Sequence, residues 1–434
     1  MKKKATARFI LFSLIGIFMF FVPVEFMDNK TIPLDHIVTL ITSIPYYKII
    51  YPLVLIFFGV IYPFVNKTWN ATRVKTVFSL INILAIPFVI MGIFHIGPEG
   101  LLDDSMIPFI LNKIVVSVCT IVPVGSIFLA LIISYGLMEF VGVFMRPIMK
   151  PIFKTPGRSA IDAVASFVGS YSIALLITNR VYEEGKYTAK ESCIIATGFS
   201  TVSATFMIIV AKTLGFLESH WGIYFVVSVF VTFLVTAITA RLYPLSKKED
   251  QYYNNVKGDV EQAIKTDKFK TALGLAQETA LNAPGLLENT KINFIEGIKL
   301  VLNMAPSLMA IGTLGLILAK YTPLFDIIGY IFYPFTLITG MDNPLLVAKA
   351  LSMSIAEMFL PVVPVAETGF ITKFIVGVTC ISEILFFSAS IPCILATKIP
   401  LKITDYLIIW FERVALSILI TAPICYLLFN VFGL

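Results

Sequence analysis

Histidine and cysteine are scarce in this chain of 434 residues, which has three of the first and five of the second. His36, His95 and His220 lie far apart, each at the edge of an apolar run. No imidazole cluster is offered to a metal, and interfacial packing is the reading for each. Cys119, Cys193, Cys380, Cys393 and Cys425 all fall inside apolar runs, with no CxxC and no paired spacing. That argues against a disulfide framework or metal cluster and leaves small core hydrophobes. Charge is sparse too, at 14% of residues. In so apolar a chain the net charge of +6 belongs to cytoplasmic anchoring and names no nucleic-acid partner. HExxH, GxSxG and GxxxxGK[ST] are all missing, and no histidine stands near a candidate nucleophile, so the chain reads as a non-enzyme without a cofactor.

What the chain has is apolar length: 58% hydrophobic residues, 37 Phe and a mean hydropathy of +0.89. Several runs approach the ~20 residues that span a bilayer, so the fold class is an all-α polytopic membrane protein. Lys2, Lys3, Lys4 and Arg8 precede the run Phe9 to Val24, which lacks a small-residue cleavage site and reads as a retained first helix with a cytoplasmic N-terminus. Spans follow at Ile49 to Phe64 and Val77 to Ile96. Their loops alternate acidic, basic and acidic, as the positive-inside rule expects. Ile114 to Phe144 would make a helix roughly 45 Å long, which must tilt or bend at Pro123. Glu191 to Val210 and Trp221 to Leu242 read as two more spans. The polar segment Tyr243 to Glu288 reads as a cytoplasmic linker with a short helix, Phe269 to Ala283, whose Phe269, Leu273, Ala276 and Ala280 share a face suited to the membrane surface.

Beyond Lys291 an internal repeat emerges. Leu137-x-Glu139-x-x-Gly142-x-x-x-x-Pro147 is matched by Leu324-x-Asp326-x-x-Gly329-x-x-x-x-Pro334. Ser170-x-Ser172-Ile173-Ala174 is matched by Ser352-x-Ser354-Ile355-Ala356, and Glu183-x-Gly185-x-x-Thr188 by Glu367-x-Gly369-x-x-Thr372, in the same order and at nearly constant displacement. The lysines of the linker, with Lys398 and Lys402, all fall inside only if the stretch around Arg180 enters and leaves from one face. The copies are therefore expected to be inverted, each with a re-entrant or broken segment, giving 9–11 transmembrane or re-entrant helices. The divisions expected are 1–105, a three-helix region; 106–242, the first repeat; 243–292, the linker; and 293–434, the second repeat.

Backbone that breaks at membrane depth needs protein or a water-filled cavity to satisfy it, which is where a polar solute can bind. Gly169, Ser170, Ser172, Ser352 and Ser354 fit such a site, and fit close helix packing equally. Glu139 and Asp326 stand late in long apolar helices, where a carboxylate must be protonated, paired or wet; they suit a coupling proton or Na⁺, with an interfacial acid as the plain alternative for Glu139. Glu183 and Glu367 precede the turn glycines Gly185 and Gly369. Asn179 offers both a donor and an acceptor. Glu357 and Glu383 have no first-copy counterpart and would make the site asymmetric. Glu412 and Arg413, adjacent in the last run, read as structural or interfacial.

Pro156-Gly157, Phe167-Val168-Gly169-Ser170, Glu183-Glu184-Gly185-Lys186-Tyr187-Thr188 and Glu191 resemble the Gate, or nucleoside-recognition, domain. Concentrative nucleoside transporters, the membrane part of ferrous-iron permeases and spore-maturation membrane proteins share that domain. The whole chain looks most like the YjiH-type membrane proteins, a bacterial group. The resemblance covers Ile107 to Leu242 well and the second copy less well, where Ala366-Glu367-Thr368-Gly369 replaces Glu183-Glu184-Gly185. It implies inverted Gate-type repeats with hairpin gates in the bacterial inner (plasma) membrane, and a secondary transporter of a nucleoside-like or other small polar solute coupled to Na⁺ or H⁺. A non-transporting assembly component, acting as a homo-oligomer or as partner of a second Gate-domain protein, is the other expectation. Neither the iron permease's cysteine-bearing gate motif nor its GTPase domain is present, and the cargo is not named by the fold.

Overall fold

The computed structural model describes residues 2–26, 29–71, 73–168, 171–183, 185–256, 267–387, 390–395 and 397–432. The protein is an all-α polytopic membrane protein. Its N-terminal region comprises α1 (Lys2–Phe21), a small antiparallel hairpin of β1 (Val24–Phe26) and β2 (Asn29–Thr31), then α2 (Pro33–Thr42), α3 (Tyr47–Val65), α4 (Arg73–Asn82), α5 (Ala85–Phe94) and the single-turn α6 (Glu99–Leu102). Two halves with the same order of elements follow. The first holds α7 (Ile107–Phe109), a π-helical stretch Ile110–Val116, α8 (Ser117–Ile133), α9 (Leu137–Ile148), the hairpin α10 (Ser159–Val168) and α11 (Tyr171–Glu183), the broken pair α12 (Ala189–Gly198) and α13 (Ala204–Thr213), and α14 (Trp221–Thr239). After the linker helix α15 (Lys268–Asn282), the second half holds α16 (Leu286–Tyr321), α17 (Leu324–Gly329), α18 (Tyr333–Ile338), α19 (Pro344–Met353), α20 (Val362–Val365), the broken pair α21 (Phe370–Ser382) and α22 (Ser390–Leu395), and α23 (Ile403–Phe432).

Six stretches among the described residues are long and apolar enough to cross a membrane: Tyr47–Val65, Lys75–Phe94, Glu99–Phe128, Trp221–Thr239, Leu286–Leu318 and Ile403–Leu428. Three shorter apolar helices, Ala204–Thr213, Pro344–Met353 and Phe370–Ser382, are halves of interrupted segments.

The two halves are inverted. The turn after α11 lies beside the linker: Ala189 N donates to Gln251 O at 2.8 Å and Lys190 N to Glu249 O at 3.0 Å. At that end Lys248 Nζ also meets Asp405 Oδ2 at 2.7 Å, and Lys398 N donates to Asn179 Oδ1 at 2.7 Å. The matching turn before α21 lies at the other end of α14, where His220 and Phe370 have ring centroids 4.8 Å apart and Asp342 N donates to Thr372 Oγ1 at 3.2 Å. At that end Tyr426 OH also donates to Gly340 O at 2.9 Å. A helix the length of α14 separates the two ends by roughly 28 Å. α14 runs from the Phe370 end to the linker end, and its counterpart α23 runs back.

Three expectations need correction. Ile114 to Phe144 is not one helix: it breaks at Ser134–Gly136, where Gly136 takes φ +100°. Glu191 to Val210 is likewise interrupted, at Phe199–Ser203. The apolar face of the linker helix is covered by protein, since Ala276 and Ala280 are fully buried in a cluster with Ala5 and Phe9 of α1, and Leu273 packs against it. Phe269 is exposed but sets its ring edge on Phe140 of α9. Arg8 fixes the arrangement by donating to Ala280 O and Pro284 O, each at 3.1 Å.

Gly136 permits this docking twice over. Its left-handed φ suits glycine, and an added Cβ would lie 2.7 Å from Ala276 Cα. Gly136→Ala is therefore expected to cost about 1–3 kcal/mol. The cost is read as a lower melting temperature in detergent; a variant melting with the wild type would contradict the docked helix.

Candidate functional site

Half-helices that end inside a protein leave carbonyls without intrahelical partners and a partial negative charge at each C-terminus. α12 and α21 both end in the interior, and one side chain from α23 serves both ends. Arg413 is fully buried; its Nε donates to Ser382 O, in the last turn of α21, at 2.7 Å. Its Nη1 donates to Thr236 Oγ1 at 3.1 Å and its Nη2 to Thr232 O at 3.5 Å, both on α14. Thr236 Oγ1 lies 2.8 Å from Gly198 O, the last residue of α12. A continuous polar chain therefore joins the broken helix of one repeat to that of the other. Gly198 fits here because a Cβ would run into the Thr236 side chain.

Around this chain the backbone is irregular and the side chains polar. In the first repeat, Ser166 Oγ holds Thr201 O at 2.6 Å and Ser203 caps α13. The hydroxyls of Ser200, Thr201 and Thr205 are buried there without a hydrogen-bond partner among the described residues. In the second repeat, residues 354–361 separate α19 from α20, and 383–387 follow α21. Phe387 N donates to Ile355 O at 2.8 Å and links the two interruptions. Ile384, β-branched and fully buried, takes φ +63°, a strain of about 1–3 kcal/mol held by its surroundings. Tyr171, which opens α11, sets its ring edge-on to Phe386 at 6.2 Å, so the first hairpin leans on the second repeat's break.

Two carboxylates enter this region. Glu357 is 2% exposed and accepts from the amides of Met358 and Phe359. Glu383 is fully buried within electrostatic reach of Glu357 and Arg413, but neither of its oxygens makes a hydrogen bond of ordinary geometry among the described residues. The Ser354 hydroxyl beside it accepts from Trp410 Nε1 at 2.9 Å and keeps its own proton to donate, so both side chains stand close to the Glu383 carboxyl.

The other sequence candidates are scattered. Gly169 and Ser170 lie outside the described residues; of Ser172 and Glu139 only the backbone is described, in α11 and α9. Ser352 is buried but donates to Phe325 O at 3.0 Å and Lys349 O at 2.7 Å, which is packing chemistry. Asp326 pairs with Lys349 at 3.2 Å on a partly exposed face. Glu183 and Glu367 are both exposed, at opposite ends of the protein, so the structure does not bring them together. Asn179 Nδ2 donates to Glu183 at 3.3 Å while its Oδ1 receives Lys398 N. Gly185 closes α11 with φ +69°, and Gly369 stands at the start of α21, where a Cβ would meet the Asp342 carboxylate.

Two residues outrank their sequence signals. Arg413 is structural rather than interfacial, the buried hub described above. Asp162, on α10, is buried and accepts from Thr178 Oγ1 at 2.6 Å and Tyr187 OH at 2.7 Å, pinning both hairpin arms and the following turn together. Its only sequence signal is an acid in the first turn of an apolar helix.

A family model described as Gate: Nucleoside recognition matches residues 115–217. The uncharacterized protein BpOF4_10220 of Alkalihalophilus pseudofirmus is 30% identical, covering 98% of this chain and 94% of that protein. The sporulation integral membrane protein YlbJ of Bacillus subtilis is 27% identical over 128 residues, 29% of this chain and 31% of its own length. Among solved structures, a CNTnw variant in the intermediate 2 state is similar in fold at 15% identity, with a TM-score of 0.52 over 97% of this chain and 99% of that one.

Proposed function

We propose that this chain, which belongs to one family with the Alkalihalophilus pseudofirmus protein and matches the Gate model over residues 115–217, is a secondary transporter of a small polar solute. The observation that carries this reading is the convergence of interrupted helices from both inverted halves on buried hydroxyls and carboxylates. A rigid membrane scaffold has no use for orphaned polar groups at its centre; a carrier needs them at the interface of its repeats. Ser200, Thr201 and Thr205 offer hydroxyls, and Glu357 accepts from donors, a set matched to a solute with several hydroxyl or amide groups. Nucleosides meet that description and are first in line. The hairpins α10–α11 and α19–α20 act as gates at opposite faces, and the lysines Lys190, Lys248, Lys398 and Lys402 at the linker end support a cytoplasmic position for it. A Na⁺ or H⁺ gradient supplies the drive.

Reconstituted protein assayed with labelled uridine, adenine, amino acids and dipeptides under imposed Na⁺ and H⁺ gradients is the test. Gradient-dependent uptake of one class is expected. Uptake of none, together with stable co-purification of a second membrane protein, would instead fit an assembly component.

A further inference from the structure

Glu383 occupies an electrostatically untenable place if it is ionised. It lies beside a second carboxylate, Glu357, and next to the C-terminus of α21, which adds roughly half a negative charge. The one cation in its reach among the described residues is Arg413, whose three donor nitrogens are directed at Ser382 O, Thr236 Oγ1 and Thr232 O. An ionised carboxylate buried without well-formed hydrogen bonds costs several kcal/mol or more, and such groups take up a proton instead. Among the described residues, the other groups facing the pair are Cys380 on α21, Ser354 before α20, Trp410 on α23 and Tyr171 on α11; Ser354 and Trp410 stand close enough to favour a charged Glu383, but none of the four brings a positive charge.

We propose that Glu383 is a proton-binding site, loaded in this conformation, and that its proton is the coupling ion of the carrier. The second half of that statement rests on the transport reading; the first does not. The site sits where a proton can be tied to movement. Glu383 caps α21, the strained Ile384 follows it, and the Phe387–Ile355 hydrogen bond makes the two interruptions of the second repeat shift as one. Rearrangement of this segment would bring Glu383 to water or to Arg413, where it can release its proton to the other side.

Infrared spectra of the purified protein at pH 7 test the site without a substrate. The wild type minus Glu383→Gln difference is expected to show the C=O stretch of a protonated carboxylic acid, and Glu357→Gln is expected to retain that band. No such band in the difference spectrum, or its loss in Glu357→Gln, overturns the assignment. Because glutamine mimics the neutral acid, Glu383→Gln should melt with the wild type; a large drop would mean that an ionised carboxylate is required there and would also overturn it. In proteoliposomes with labelled uridine as the probe, Glu383→Gln should keep uridine counterflow while accumulation driven by a pH gradient falls to the level without a gradient. Retained pH-driven accumulation overturns the coupling role. A protein that shows the band yet moves no uridine upholds the proton site and counts against the nucleoside reading.

Discussion

Arg413→Ala is expected to destabilise the protein by about 3–5 kcal/mol, the cost of breaking a buried charged network by removing one member. The loss comes from several places at once. Ser382 O loses its donor, Thr236 loses the guanidinium, and the negative ends of α12 and α21 lose the cation between them. Arg413→Lys should recover little, because one ammonium cannot reach three acceptors on two helices as the planar fork does. Melting in detergent and amide hydrogen exchange of α21 are the measurements. An alanine variant with unchanged melting and unchanged exchange would show that the hub carries no load.

Glu357→Gln is expected to lower kcat/KM for uptake by about 3–10-fold, the equivalent of removing a hydrogen bond inside the site. Glu183→Gln and Glu367→Gln serve as the contrast. Both acids repeat in the sequence, but both are exposed in the structure, and each substitution should leave uptake within about twofold of wild type, as surface changes generally do. Uptake assays of the three variants side by side decide the matter: an effect at Glu183 or Glu367 that equals the effect at Glu357 would move the site to the turns.

Much of the architecture was written plainly in the chain. The helices Tyr47–Val65 and Trp221–Thr239 and the linker helix Lys268–Asn282 fall close to their sequence positions, because apolar runs and polar flanks define them. The inverted repeat was legible from short motifs and lysine placement. The interruptions were harder. Phe199–Ser203 contains neither glycine nor proline, and serine and threonine are at home in membrane helices, so nothing local distinguishes a break from a continuous span. Gly136 stood in an apolar run where glycine is common, and its role depends on Ala276, which is remote in sequence. Of the two readings open for Arg413, structural or interfacial, the structure gives the structural one, and for a geometric reason the sequence did not single out its partners. Adjacent residues on a helix do not face each other, so its neighbour Glu412 says nothing about where it points. Asp162 needed Thr178 from the other hairpin arm and Tyr187 from the turn that follows it before its burial made sense.

The central claim is that two equivalent hairpins open to opposite sides of one membrane. Glu183 and Glu367 mark their exposed turns, so single cysteines at these positions, in a protein whose five native cysteines are replaced, can be treated with a membrane-impermeant maleimide in right-side-out and inside-out vesicles. Glu183→Cys should be modified from the cytoplasmic face alone and Glu367→Cys from the opposite face alone. Modification of both from the same face would contradict the inverted pair and the carrier built on it.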